Sequence, residues 1–280
     1  MIAGGRFAYT QARLQARYAE LPTEADWRRL SGARTLSGWL EEARSGALKR
    51  WVKGFSAQSD SHDIERGVRA QFTETVEQVA GYVPKPWHDA VSWCVWLPLL
   101  GLFDHARGGG SLPDWVARDP GLAPLLDDDR RFDSSALASH GVGGLLEDDA
   151  GRAWLAQWRR RWPRCKPAHL DAVDDLVQRC LTQLRDFRET PPNKAWSLRK
   201  ELRERLRFEF HLSLLQPSSV FIFLTLVALD LERLRRALLD RALFTTALDA
   251  AAADEIDSHT DARRGSDRRN DQQRPRREAA

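Results

Sequence analysis

The histidines at positions 62, 88, 105, 140, 169, 211 and 259 are the first side chains to test for chemistry, and they are scattered along the chain. No pair stands in HExxH or another metal-ligand spacing, so helix caps and surface positions account for them. The acidic triplets Asp127-Asp128-Asp129 and Glu147-Asp148-Asp149 carry enough charge for a hard cation. They lack the alternating ligand positions of a calcium loop and read as solvated loop acids. Gly108-Gly109-Gly110 has no GK[ST] ending, and no GxGxxG follows a strand, so no phosphate-cradling nucleotide loop is present. Ser134-Ser135 and Ser218-Ser219 stand outside any GxSxG elbow and read as helix-capping hydroxyls. Cys94, Cys165 and Cys180 are odd in number and without CxxC spacing, which fits neither a disulfide framework nor a zinc site. The sequence therefore predicts no catalytic residue, no cofactor and no metal site.

Two other groupings have chemical potential. Arg159-Arg160-Arg161 lies between Trp158 and Trp162, a combination that can stack on and grip nucleic acid in a helical adaptor. Against that reading, 43 basic residues face 40 acidic ones, and the RPRR near the C-terminus sits in a stretch where acids and arginines balance. Nucleic acid is not the expected partner. An enzyme of unfamiliar type would need a confined polar pocket lined by His88, Asp89 and His105.

The elements that position these residues are helical throughout. Hydrophobic content of 42% and charged content of 30% suit a chain that folds in water. The two most apolar runs, Ala90 to Phe103 and Val220 to Leu229, fall short of the roughly 20 residues needed to cross a bilayer. The first residues, MIAGGRFAYTQARLQARY, lack the apolar stretch of a signal peptide, so a cytoplasmic location is expected.

Phe7 to Leu21 reads as an amphipathic helix with Tyr9, Leu14, Tyr18 and Leu21 on one face, ending at Pro22. Thr23 and Asp26 then form a capping box for a short helix to Leu30. Leu36 to Phe55 is broken at Ser45-Gly46 into two short helices, and Ser61 or Asp63 caps a longer one from Ile64 to Val83. Trp87 to Ala106 is a buried helix kinked at Pro98. Arg152 to Trp162, Leu170 to Arg188 and Ala195 to Leu215 follow, the second with Val173, Leu176, Val177, Leu181 and Leu184 aligned. The helix that opens at Pro217 is apolar on nearly every side to Leu229. From Asp230 to Arg241 it becomes amphipathic, with Leu231, Leu234, Leu238 and Leu239 between charges.

These elements predict an all-α, multi-helix body of repeated helical units. Residues 1–107 form an N-terminal helical unit, 108–151 a loop-rich connector with short helical turns, and 152–248 a C-terminal unit with a long closing helix. Residues 249–280 form an Asp/Arg-rich tail expected to be disordered. An internal echo supports the repeat: Gly38-Trp39-Leu40-Glu41-Glu42-Ala43-Arg44 parallels Ala153-Trp154-Leu155-Ala156-Gln157-Trp158-Arg159. Each is followed by a tryptophan, a polar break, and a histidine that opens an amphipathic helix.

Three segments, taken in order, resemble the C subunit family of V/A-type rotary ATPases, whose eukaryotic member is the d subunit. The first is Tyr9-Thr10-Gln11-Ala12-Arg13-Leu14-Gln15-Ala16-Arg17, with the Leu21 to Trp27 and Leu36 to Leu40 elements after it. The second is Asp63-Ile64-Glu65 followed by Val68 and Phe72. The third runs from Pro217 to Leu239, with Arg233 where the family has asparagine. The resemblance implies a funnel-like body and a non-catalytic, rotor-coupling role. Its partners would be the central-stalk subunits and the rotor ring, and it would sit peripherally on the cytoplasmic membrane face. It further implies that the basic residues of the first and last motifs, Arg13, Arg17, Arg233, Arg235 and Arg236, bind those partners.

Overall fold

A computed structural model describes residues 3–243, whose regular structure is helical apart from one isolated antiparallel bridge between Leu126 and Phe132. The all-α fold class expected from the periodicity is observed. The tail 249–280 lies outside the described residues, as do the last residues of the expected C-terminal unit.

Helix α1, Ala3–Ala19, buries Phe7, Thr10, Gln11 and Leu14. Tyr9, expected on the inner face, is exposed and meets Tyr82 edge-on, because position 9 lies roughly opposite position 7 on a helix of 3.6 residues per turn. The chain turns at Pro22 into α2, Glu24–Leu30, whose capping box is the one expected from the sequence. The Thr23 hydroxyl accepts from the Asp26 amide, and the Asp26 carboxylate accepts from the Thr23 amide. Helices α3, Leu36–Arg44, and α4, Lys49–Val52, separate at Ser45-Gly46 as expected. Helix α5, Ser61–Ala80, is capped by Asp60 rather than by Ser61 or Asp63. The Asp60 carboxylate accepts from the Asp63 amide, which makes Ser61 and Asp63 helical residues themselves. Its buried face, Ile64, Val68, Phe72, Val76 and Val79, follows the predicted spacing.

Between Lys85 and Arg107 the expected kinked helix is three pieces: α6, Lys85–Ser92, a 3-10 segment, Trp93–Leu99, and α7, Leu100–Arg107. Pro98 has no N–H to donate to the Cys94 carbonyl, and the chain tightens over the whole turn instead of bending at one point. Cys94 is buried there, and burial pushes its thiol far above the ordinary range.

Residues 108–151 contain the short turns expected, α8, Asp114–Arg118, and α9, Ser134–Ser139, with two 3-10 turns. Val116, Leu122, Leu125, Leu137, Val142 and Leu145 enter the same core as the flanking helices, and Phe103 stacks on Phe132 at 5.0 Å. The Asp104 carboxylate accepts from the Ala150 amide and ties the stretch to α10, Ala150–Arg160. Two helices then run as a pair, α11, Pro167–Glu189, and α12, Pro192–Leu212. On α11 the aligned apolar face divides. Val173 and Leu176 are buried, whereas Leu181 and Leu184 are 41% and 56% exposed.

The helix over residues 217–243, α13, is central to the core. Val220 to Leu224, Leu226, Val227, Leu231, Leu234 and Leu238 are all buried. Phe221 lies against Trp158 at 4.9 Å and Trp87 at 5.9 Å, and Phe223 against Phe210 at 6.4 Å. The serines at its start do not cap it. Ser219 Oγ donates back to the Gln216 carbonyl, because both serines are already inside the first turn. Leu215, with φ 62°, turns the chain from α12 into α13, and its amide donates to Gln11 Oε1 on α1.

Two leucines that look alike in sequence should therefore respond differently to truncation. Leu226→Ala removes a fully buried side chain and is expected to lower unfolding free energy by about 2–5 kcal/mol. Leu184→Ala is expected to change it by less than about 0.5 kcal/mol. Urea denaturation followed by tryptophan fluorescence measures both, and equal losses would place the end of α11 in the core.

Candidate functional site

The charged half of α13 is where the five arginines expected to bind partners can be judged, and it is occupied from within the chain. Asp230 is the residue that ends the apolar run, and it is buried with Arg203 of α12. Arg203 donates through Nε to Asp230 Oδ1 at 2.7 Å and through Nη2 to Oδ2 at 3.0 Å. The same Nη2 donates to the Pro22 carbonyl at 2.7 Å, joining α12, α13 and the turn between α1 and α2. Burial pushes the Asp230 carboxyl up, and the Arg203 fork pulls it back down.

One turn further, Arg233 donates through both terminal nitrogens to Glu24 of α2, at 2.7 and 3.0 Å. Its guanidinium lies between two indoles, 4.6 Å from the Trp27 ring and 5.1 Å from that of Trp196. These hydrogen bonds hold the Glu24 carboxyl below its ordinary range. Arg235 donates to Glu65 of α5 at 2.6 Å, and Arg199 of α12 reaches Glu232 at 3.4 Å. Arg241 donates to the Ala33 carbonyl and lies over Trp39. Of the three α13 arginines in the motif, Arg236 is the most open, 57% exposed, with Asp240 at 3.6 Å.

Arg13 and Arg17 are elsewhere, on α1 where it crosses the end of α5. Arg13 lies over the Tyr82 ring at 4.9 Å, and Arg17 donates to Gln78 at 2.9 Å and to Glu20 at 3.0 Å. The five arginines thus form two groups, Arg13 with Arg17 and Arg233 with Arg235 and Arg236.

Arg159 to Trp162 does not present a stacking surface. Trp158 is buried with its indole N–H on the Ala90 carbonyl, Arg161 lies 3.7 Å from the Trp93 ring, and Arg159 pairs with Asp174. His88 and Asp89 point outward on α6, and His105 bonds to the Ser111 carbonyl on another segment. They do not line a common pocket. Among the described residues, no group of three or more His, Cys, Asp or Glu side chains converges as a metal site, and no helix is long and apolar enough to cross a membrane.

Glu24, Trp27 and Glu65, from the first two resembling segments, carry this arrangement together with Arg199, Arg203 and Trp196, which no sequence motif singles out. One signal exists for part of it: an aspartate directly following a ten-residue run that is apolar except for Thr225 needs a buried counter-charge. Arg203, between Leu202 and Leu206 on the buried stripe of α12, is the matching irregularity. Nothing in the sequence links Glu24 to Arg233, 209 residues away. No protein-family model, curated protein or solved structure matches the chain.

Two substitutions probe these links. Arg203→Met leaves Asp230 buried without its counter-charge and is expected to destabilise the fold by about 3–5 kcal/mol, with most of the loss recovered in Arg203→Met/Asp230→Leu. A double variant no more stable than the single one, in urea titrations, would refute a role as a charge pair. Glu24→Gln tests the second link through pH. Because the folded carboxyl titrates low, its stabilisation is complete above the ordinary value of 4.5 and lost as pH falls through the folded value. The wild type should exceed Glu24→Gln by about 1 kcal/mol at neutral pH. Denaturation curves at descending pH should then converge, and a gap that persists in acid would contradict the pairing.

Proposed function

We propose that this protein is a non-catalytic rotor-coupling subunit of a V/A-type ATPase, linking the central shaft to the membrane rotor ring. The observation that carries the reading is that the three segments with the resemblance converge in the fold. Glu24, from the first, and Glu65, from the second, both pair with arginines of the third, Arg233 and Arg235. Their order in sequence and their meeting in space are what a shared architecture requires.

The mechanical properties agree with the role. A subunit that passes torque must resist shear between its helices, and α13 is braced by ion pairs to α2, α5 and α12 along its charged half. Cross-linking a central helix by short, partly desolvated pairs limits sliding more than apolar contact alone, because the pairs are directional. Arg236, and Arg13 at the crossing of α1 and α5, are the motif arginines left most open to a partner. A peripheral position on the cytoplasmic membrane face is part of the proposal, with the rotor ring as the membrane-embedded contact.

Affinity purification of the tagged chain from its native membranes tests the reading. Rotor-ring and central-stalk subunits are expected to co-purify, and Arg13→Glu/Arg236→Glu is expected to reduce their recovery about tenfold without altering the melting temperature. Assembly of ring and stalk in cells lacking the protein, together with no recovery of either on the tagged chain, would overturn it.

A further inference from the structure

A groove lies away from the braced half of α13, between the end of α1 and the α3–α4 turn. It measures about 780 Å³ and is lined by Ala19, Glu20, Arg44, Ala47, Lys49, Arg50 and Lys53. Four of its side chains are cationic and one is a carboxylate. That carboxylate is already engaged: Glu20 Oε2 accepts from Arg17 at 3.0 Å and from Arg50 at 2.9 Å. Arg44 is anchored by donation to the Phe55 carbonyl at 2.6 Å, and Arg50 lies over the Trp51 ring at 5.4 Å. Lys49 and Lys53, one turn apart and both exposed, have no hydrogen-bond or ion-pair partner among the described residues.

The chain as a whole is nearly neutral, with a net charge of +3, so a groove with four cations and one occupied acid is a local excess. Two of the cations are held by the fold, at Arg44 and Arg50, and two are free to close on a ligand. Burial of Arg50 pushes its guanidinium down, the direction expected where one shared carboxylate does not offset desolvation. The remaining lining is carbon, from Ala19, Ala47 and the stems of the long side chains. Volume and composition lie in the range of small-molecule sites rather than of an extended track along a polymer.

Independently of the rotor-coupling reading, we infer that the groove binds an organic ligand carrying two or more phosphate groups. Arg44 and Arg50 are its fixed anchors, and Lys49 and Lys53 are the clamps. A soluble molecule and a lipid headgroup present the same phosphates, so the recognising chemistry is shared between them.

The test uses the full chain with inorganic triphosphate in titration calorimetry, and with vesicles of phosphatidylcholine with or without phosphatidylinositol bisphosphate in flotation assays. Saturable binding of triphosphate that weakens as salt rises is expected. Lys49→Glu/Lys53→Glu should weaken it by about tenfold or more. Lys85→Glu/Lys166→Glu, with the same change in net charge outside the groove, should not. Lys49→Gln/Lys53→Gln gives a milder loss and guards against misfolding of the charge-reversed chain, with melting temperature checked for each. Triphosphate binding without flotation assigns a soluble ligand, and flotation that triphosphate competes away assigns a lipid headgroup. No saturable binding of either probe, or equal loss in the two charge-reversed variants, would overturn the inference.

Discussion

The buried pair of Arg203 and Asp230 is the constraint on which the arrangement of the other helices depends. Desolvating both charges is unfavourable by several kcal/mol per ion, and only close bidentate geometry with further hydrogen bonds offsets it. The fork meets the first condition, and donation to the Pro22 carbonyl adds a bond to the backbone turn before α2. One guanidinium thereby fixes the axial register of α13 against α12 and sets α2 beside both. With that register, Arg233 falls between Trp27 and Trp196 and opposite Glu24. A slip by one residue would turn each of these side chains by about 100° around the helix and strand the aspartate in apolar surroundings. The apolar half of α13 has no such discrimination of its own, since it is greasy on nearly every side.

This division explains what can be read from the sequence and what cannot. Local rules reach far. The Thr23 and Asp26 capping box, the break at Ser45-Gly46 and the stripe from Ile64 to Val79 all depend on residues within a few positions of one another. Caps are ambiguous where neighbouring acceptors compete: Asp60, Ser61 and Asp63 are chemically similar, and only the backbone geometry selects Asp60. Pro98 is visible as a break, but whether a proline bends a helix or tightens it depends on what packs around it. On α11, Leu181 and Leu184 continue a buried stripe by spacing alone, yet they are exposed, because periodicity defines a face and does not say how far a neighbour extends along it.

The candidate site is less legible for the same reason. Arginines in a motif advertise a charge and leave open whether a partner or the chain itself receives it. Arg233 and Arg235 are received by Glu24 and Glu65, which are separated from them by 209 and 170 residues. The groove cations, by contrast, sit close together in sequence, from Arg44 to Lys53, but adjacent cations on a short helix look like any solvated face until the fold lays Glu20 and Ala19 across from them.

The position of α13 in the chain has a consequence for biosynthesis. A ribosome delivers α1 through α12 before it delivers the helix around which they are arranged. Until then the walls that will receive Phe221, Phe223 and Leu226 lack their filling, and Glu24, Glu65 and Arg203 lack their α13 counter-charges. The nascent chain thus makes its long-range closure only after α12 has emerged, a regime in which partly collapsed intermediates expose apolar surface. Helper proteins that shelter emerging polypeptides would act on this chain chiefly in that interval.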